Sequence, residues 1–301
     1  MNGLPVGEVA CMDAVAFLKS LPDSCLDAVI TDPPYAEVDR PYGRLTEAEW
    51  WALIVEGVIP EVRRALKPQG SAVFIIQPNS RKVGSMRGWV FEFMAWVCRE
   101  WNMVQDCYWW NTTTPPSAFA CQGKLMRPAA KPNVWCGAHD CYRDQSEVLW
   151  SESDSNVRDR LSKRWELQYK PGGQHVRTPR VAQAAADRGG VTPFNVLPVP
   201  NANSVDSAGS NGHGAGTPLP LMRWWTRYIV PPGGVVGDCF MGSGTLALAA
   251  IQEGRDFVGC ERDEGYCRIA RDRIAKAQRA HQDRLDFGPA EEPLDTGAPF
   301  L

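Results

Sequence analysis

Asp32-Pro33-Pro34-Tyr35 gathers the groups most suited to chemistry in this chain. An amino group on a flat heteroaromatic ring is a poor nucleophile, because its lone pair is delocalised into the ring. A carboxylate at Asp32 and the backbone carbonyl of Pro33 can accept its two N–H bonds, hold it still and let the nitrogen pyramidalise towards an electrophile. That is positioning with preorganised electrostatics, without a strong base. The prolines lock φ and add no competing N–H donors. Tyr35 offers a ring face on which an extruded base can stack. The plainer alternative is a strand followed by an ordinary Pro-Pro turn, with Tyr35 as half-buried packing.

A second constellation lies near the other end. Val235 to Asp238 reads as a strand, Cys239-Phe240-Met241-Gly242-Ser243-Gly244-Thr245 as a glycine loop, and Leu246 to Glu253 as a helix closed by Gly254. Asp256 to Cys260 is the next strand, with Glu261 at its tip. Glycines let a ligand lie against the backbone, and an acidic residue at this distance suits ribose hydroxyls. The loop lacks the third glycine of the dinucleotide fingerprint, and no Gly-Lys-Ser/Thr follows it. The expected ligand is therefore adenosyl without a diphosphate, rather than NAD or ATP.

These groups need elements to hold them. Leu26 to Thr31 reads as a buried parallel strand ending at Asp32, on the edge where α/β sheets bind ligands. Gly7 to Met12 reads as a strand ending at Asp13, and Ala14 to Ser20 as a helical turn or two. Asp13 and Asp32 are then expected at the tips of neighbouring strands, facing one crevice. Leu45 to Leu66 has helical periodicity, with Thr46 as N-cap and Glu49 completing a capping box. Ser71 to Gln77 reads as a buried strand, Trp89 to Trp101 as a helix and Met103 to Trp110 as a third strand. Glu147 to Trp150 reads as the last strand of this half, and Pro218 to Ile229 as a helix rich in Trp and Arg. The alternation predicts an α/β class with a largely parallel sheet. Glu37 to Tyr42 is a charged loop suited to a lid or a DNA-facing segment, and Trp109 and Trp110 suit either core packing or substrate contact.

The length of 301 residues suggests one large domain, or a domain with an inserted subdomain, and 44% apolar residues suffice for a sizeable core. No run approaches the ~18 apolar residues of a membrane span, and no signal pattern opens the chain, so a cytoplasmic location is expected. With a net charge of −3 and a pI near 5.9, a nucleic-acid partner must be held by a local basic surface. Such a surface is available: Arg158, Arg160, Lys163, Arg164, Lys170, Arg177, Arg180 and Arg188 face only Asp159, Glu166 and Asp187. Trp165, Tyr169 and His175 interleave with them, a mixture suited to phosphate and base contacts, or to a solvated charged face. Asn201 to Gly216 reads as a linker, and the acidic, Pro-rich tail from Asp286 as disordered. The ten cysteines follow no framework and are expected as free thiols. Cys136, His139 and Cys141, with Cys121 upstream, do not have a standard zinc spacing.

Asp13 with its helix, the Asp32–Tyr35 tetrapeptide, Phe240 to Thr245 and Glu261 together resemble the DNA amino-methyltransferases that use S-adenosylmethionine. The order, base-binding motif first and cofactor loop last, is similar to the β class. The resemblance covers residues 7–150 and 213–280. It implies a Rossmann-like methyltransferase sheet with circularly permuted motif order. Residues 1–150 form the catalytic half, 151–212 a target-recognition insert and linker, 213–285 the cofactor half of the same domain, and 286–301 a tail. It also implies that Asp13 binds the cofactor adenine and Glu261 its ribose. Asp238, Phe240, Met241, Gly242, Ser243, Gly244 and Thr245 complete the cofactor set, the loop from Phe240 cradling the methionine end. Arg158, Arg160, Lys163, Arg164, Lys170, Arg177 and Arg180 are the DNA-binding candidates. Two departures stand out. His213-Gly214-Ala215-Gly216-Thr217-Pro218 keeps only the first and last residues of the family's His-Pro-Thr-Gln-Lys-Pro-like segment, and the frequent Lys near Asn111 is absent.

The implied activity is sequence-specific methylation of a flipped adenine at N6, with no metal and no covalent enzyme intermediate. The implied partners are double-stranded DNA and a second copy of the chain; with no nuclease motif in the sequence, the chain is either a stand-alone modifier or one half of a pair with a restriction endonuclease. Cytosine N4 presents the same two N–H bonds and stays open, although a leading Ser is commoner there. Enzymes that methylate protein glutamine or RNA use similar tetrapeptides but usually place the cofactor loop before them, the reverse of this chain. A catalytically silent DNA-binding module would be marked by loss of Asp32, Tyr35 or the glycines, all present. Chemistry at C5 of cytosine needs a Pro-Cys nucleophile, which is missing.

Overall fold

The computed structural model describes residues 4–39, 43–113, 126, 128–150, 187–201 and 216–287. The basic stretch carrying Arg158, Arg160, Lys163, Arg164, Lys170, Arg177 and Arg180 lies outside the described residues, as do Cys121 and His213.

Ten strands and seven α-helices are described, named in chain order. The strands are β1 (Val9–Cys11), β2 (Leu26–Thr31), β3 (Leu66–Ile75), β4 (Ser80–Lys82), β5 (Ser85–Met86), β6 (Met103–Asn111), β7 (Ala130–Gly137), β8 (Val196–Val199), β9 (Val235–Asp238) and β10 (Asp256–Glu261). The helices are α1 (Ala14–Ser20), α2 (Glu47–Trp51), α3 (Ile59–Ala65), α4 (Trp89–Glu100), α5 (Leu219–Ile229), α6 (Thr245–Gln252) and α7 (Glu264–Phe287). Thr46 and Glu49 form the expected capping box at the start of α2. A π-helical segment, Ala52–Val58, joins α2 to α3, where Pro60 brings no N–H to the ladder.

The main sheet runs in the order β1-β10-β9-β2-β3-β7-β6-β8, and β4 pairs only with β5. Strands β1, β10, β9, β2 and β3 are mutually parallel, and β7 alone runs against its neighbours β3 and β6. Alternation along the strands separates two apolar layers. Val29, Ala72 and Phe74 face the layer of Phe17, Trp50 and Phe93, while Ala28, Ile30 and Val73 face that of Trp225, Leu246 and Ala250. Among the described residues no helix is long and apolar enough to cross a membrane.

Two sequence expectations are corrected, and one strand is new. The strands ending near Asp13 and Asp32 are not neighbours, because β9 and β10, from the far end of the chain, insert between β1 and β2. Glu147 to Trp150 is not a strand. The Asp144 side chain accepts from Ser146 N at 2.9 Å and starts a 3-10 turn, Gln145–Val148, leaving Trp150 only an isolated bridge to Val191. Finally, the sequence does not anticipate β7, since Pro132 argues against a central strand. It is tolerated because Ile75↔Asn133 is the last ladder pair with β3: the Pro132 carbonyl still accepts from Ile76 N at 3.0 Å, so the missing N–H falls at the end of that ladder rather than in its middle.

Candidate active site

The C-terminal edge of the parallel strands holds a cavity of about 440 Å³. Asp13, Asp32 to Tyr35, Lys131, Thr217, Asp238, Phe240 to Ser243, Thr245 and Glu261 all line it. Asp13 and Asp32 thus share a crevice without sharing adjacent strands.

Asp32 is fixed on both sides. Tyr35 Oη donates to its Oδ1 at 2.5 Å, and Thr217 Oγ1 donates to its Oδ2 at 2.5 Å. Each carboxylate oxygen keeps a further lone-pair direction for a substrate N–H. Trp50, fully buried, donates Nε1–H to the carbonyl of Pro34 at 2.8 Å. The Pro34 carbonyl is thereby committed, whereas no described residue donates to that of Pro33. Tyr35 is itself buried at 8% exposure, so the group expected as a stacking platform also orients the carboxylate.

The cofactor-loop candidates are held with equal care. Gly242 and Gly244 have φ of +51° and +85°, the left-handed region that glycine enters without strain. A Cβ on Gly244 would come within 3.2 Å of Ala270 Cβ, so glycine also lets α7 approach. Glu261 Oε2 accepts from Gly242 N at 2.9 Å, and its Oε1 from Arg262 N and Asp263 N, each at 2.9 Å. Arg273 donates to the Ser243 carbonyl at 2.7 Å and to its Oγ at 2.8 Å. Asp13 Oδ1 caps α1, accepting from Val15 N at 2.9 Å and Ala16 N at 3.1 Å. Asp238 is buried below the loop, where its Oδ1 accepts from Thr31 Oγ1 at 2.6 Å and Phe240 N at 3.0 Å. Burial pushes its carboxyl up to about 7; the two hydrogen bonds oppose that, and Asp32 and Glu261 add to it.

The family model for DNA methylase matches residues 26–272. The chain belongs to this N6/N4 DNA methylase family. Type II methyltransferase M.PvuII of Proteus hauseri is 26% identical over 86% of this chain and 81% of that one. M.ScaI of Streptomyces caespitosus is 25% identical over 88% and 81%. Among solved structures, the PvuII DNA methyltransferase (cytosine-N4-specific) has a TM-score of 0.66 at 20% identity, covering 94% of this chain and 96% of that one. TTHA0409 of Thermus thermophilus, in a structure complexed with S-adenosyl-L-methionine, has a TM-score of 0.53 at 20% identity, covering 90% and 95%.

In this DNA methylase several cavity residues escape sequence reasoning. Thr217 sits in the segment that departs from the family pattern, and its hydroxyl nevertheless reaches Asp32. Lys131, on the unanticipated β7, brings its ammonium 3.3 Å from Tyr35 Oη and 4.7 Å from the Trp109 ring centroid. An ammonium is therefore present beside the cavity although the Lys sought near Asn111 is missing. Trp109 is buried and donates to the Val199 carbonyl at 2.8 Å, whereas Trp110 is 43% exposed. The methylase's charged loop is closed at its base by Glu37 N to the Leu45 carbonyl, at 2.6 Å, and the Arg44 guanidinium holds the Glu37 carboxyl below its usual range. Burial raises the thiols of Cys107, to about 12, and Cys239, which makes them poor nucleophiles. Cys136 turns to the Ala72 carbonyl while the His139 side chain is 93% exposed, and no group of three metal-capable side chains converges among the described residues.

Proposed function

We propose that this DNA methylase transfers a methyl group from S-adenosylmethionine to the N6 of an adenine flipped out of duplex DNA, at Asp32–Tyr35. The observation that carries this reading is one cavity shared by a doubly held carboxylate, a Pro33 carbonyl to which no described residue donates, and a left-handed glycine loop. The cavity fits the cofactor. Its volume lies in the ordinary small-molecule range, and the glycines leave backbone space for the methionine end. Glu261 and Asp13 each retain acceptor capacity for ribose and adenine groups. Four acidic side chains, Asp13, Asp32, Asp238 and Glu261, line it and suit a cationic ligand. When bound, the cofactor supplies an electrophilic methyl on sulfonium sulfur. Asp32 and the Pro33 carbonyl accept the two amine hydrogens and turn the nitrogen lone pair towards that methyl. Thr217 and Tyr35 keep the carboxylate from rotating, and Trp50 withholds the wrong carbonyl. The proton shed by the methylated nitrogen leaves along its hydrogen bond to Asp32. Extruding the base costs a few kcal/mol, which contacts to the duplex must offset.

Asp32 at the head of the tetrapeptide favours adenine, while a relative described as cytosine-N4-specific supports the other amine. Incubating the chain with tritiated cofactor and mixed-sequence DNA, then hydrolysing to nucleosides, separates them. Label in N6-methyladenine is the expected result. Label in N4-methylcytosine transfers the same geometry to cytosine, and unlabelled DNA would reject the reading.

A further inference from the structure

We infer that the β4–β5 hairpin is a DNA-contacting finger, with Arg81 and Lys82 on backbone phosphates and Val83 and Met86 packed against the bases flanking the extruded one. This rests on the proposed action on duplex DNA.

A lone two-stranded hairpin is marginal in water, yet this one is anchored at its base. Asn79 Nδ2 donates to the Ala36 carbonyl at 2.6 Å and Asn79 Oδ1 accepts from Trp89 Nε1 at 3.1 Å. Arg87 returns its N–H to the Asn79 carbonyl at 3.0 Å and pairs with Glu47 at 2.8 Å and Glu37 at 3.4 Å. Ala36 directly follows Tyr35, so the hairpin is fastened next to the tetrapeptide. It also leaves from the same edge, since Thr31↔Phe74 aligns the ends of β2 and β3.

What the hairpin presents is basic and apolar together. Ser80 to Lys82 are exposed along their length; Val83, in the turn, and Met86, opposite Ser80, are 57% and 56% exposed. Gly84, at φ +77° with open space around it, makes the turn. Between Glu61 and Glu92 the sequence has no acidic residue, and Arg81 and Lys82 form no ion pair with any described residue. Two cations beside two exposed apolar side chains match a polyanion whose grooves have apolar base faces. A two-stranded ribbon enters the major groove, and apolar wedges are a known means of filling an unstacked step.

The test uses the full chain, a duplex substrate with 2-aminopurine at the target, and three proteins: wild type, Arg81→Ala/Lys82→Ala and Val83→Ser/Met86→Ser. Titration with S-adenosylmethionine checks that the variants remain folded. Loss of two phosphate contacts lowers the slope of log affinity against log salt by about 1.8. The apolar variant should keep the slope, lose about tenfold in affinity and show less 2-aminopurine fluorescence, with partial rescue by a mismatched target. If the wild type methylates DNA and both variants bind and extrude as it does, the hairpin assignment falls alone. Weakened self-association with unchanged DNA binding would make this a subunit surface and overturn it. If the wild type transfers no methyl to DNA, the functional reading falls first.

Discussion

Thr217 donates its hydroxyl hydrogen to Asp32 Oδ2 at 2.5 Å, across 185 residues of chain. The segment before α5 is thereby tied to the tetrapeptide after β2, and a carboxylate that could rotate is given one plane. Replacing Thr217 by Val removes the donor at nearly constant volume. A hydrogen bond to a charged group is worth about 1.5–3 kcal/mol, so single-turnover methyl transfer should slow by roughly ten- to a hundredfold. Thr217→Ser should restore most of the rate, and cofactor affinity should change little. A Val variant with the wild-type rate would remove Thr217 from the orienting role.

Asp32→Ala takes away the acceptor itself. Methyl transfer should become undetectable while most of the affinity for S-adenosylmethionine survives, because Glu261, Asp13 and the glycine loop are intact. Calorimetry paired with a tritiated-methyl assay reads both. Retained activity would sink the assignment of Asp32.

Much of this was legible in the chain because short-range rules set it. Strands β2 and β9 and helix α1 begin and end where alternation, caps and glycines place them. Thr46 and Glu49 close their box as the spacing requires. The failures are non-local. Nothing near Asp13 tells that two strands from beyond residue 230 will separate β1 from β2. Lys131 enters the site only because β7 pairs with β6 in the Trp109↔Lys131 register, and a proline masks that strand. Thr217 lies in a segment that departs from the family pattern, and nothing near it in the chain names Asp32 as its partner.

Trp50 makes a separable prediction, because its Nε1–H selects which proline carbonyl is left for substrate. Trp50→Phe keeps an aromatic ring against Trp89 and Phe93, whose centroids lie 4.6 and 5.2 Å away. It frees the Pro34 carbonyl and leaves it unpaired, at a cost of about 1–3 kcal/mol of stability. The turnover number should fall about tenfold at a temperature where the variant is fully folded. Phe93→Leu, which loosens the same cluster without touching Pro34, should lower the melting temperature and leave turnover near wild type. Equal losses of turnover in both variants would mean that the cluster acts through packing alone.

Asp238 predicts a pH dependence with a definite sign. Burial holds its carboxyl at about 7 in the folded chain, against 3.8 for an unburied aspartate. Between those values the unfolded chain has lost this proton and the folded chain has kept it, so the folded state binds more protons. Its contribution to stability is therefore complete below about pH 3.8, declines as pH rises towards 7, and is flat above that. Asp238→Asn, which cannot ionise, should remove a decline on the order of a few kcal/mol between pH 4 and pH 7, read as the difference in urea midpoints between variant and wild type. Thr31→Val removes the first of the hydrogen bonds that oppose burial, so its decline should continue to higher pH. A cationic ligand in the same cavity favours ionised Asp238. Binding of S-adenosylmethionine near pH 7 should then release a fraction of a proton, seen as heats that change with the ionisation enthalpy of the buffer. Buffer-independent heats together with parallel urea profiles for wild type and Asp238→Asn would show that Asp238 is ionised throughout, and the buried-acid account would be wrong.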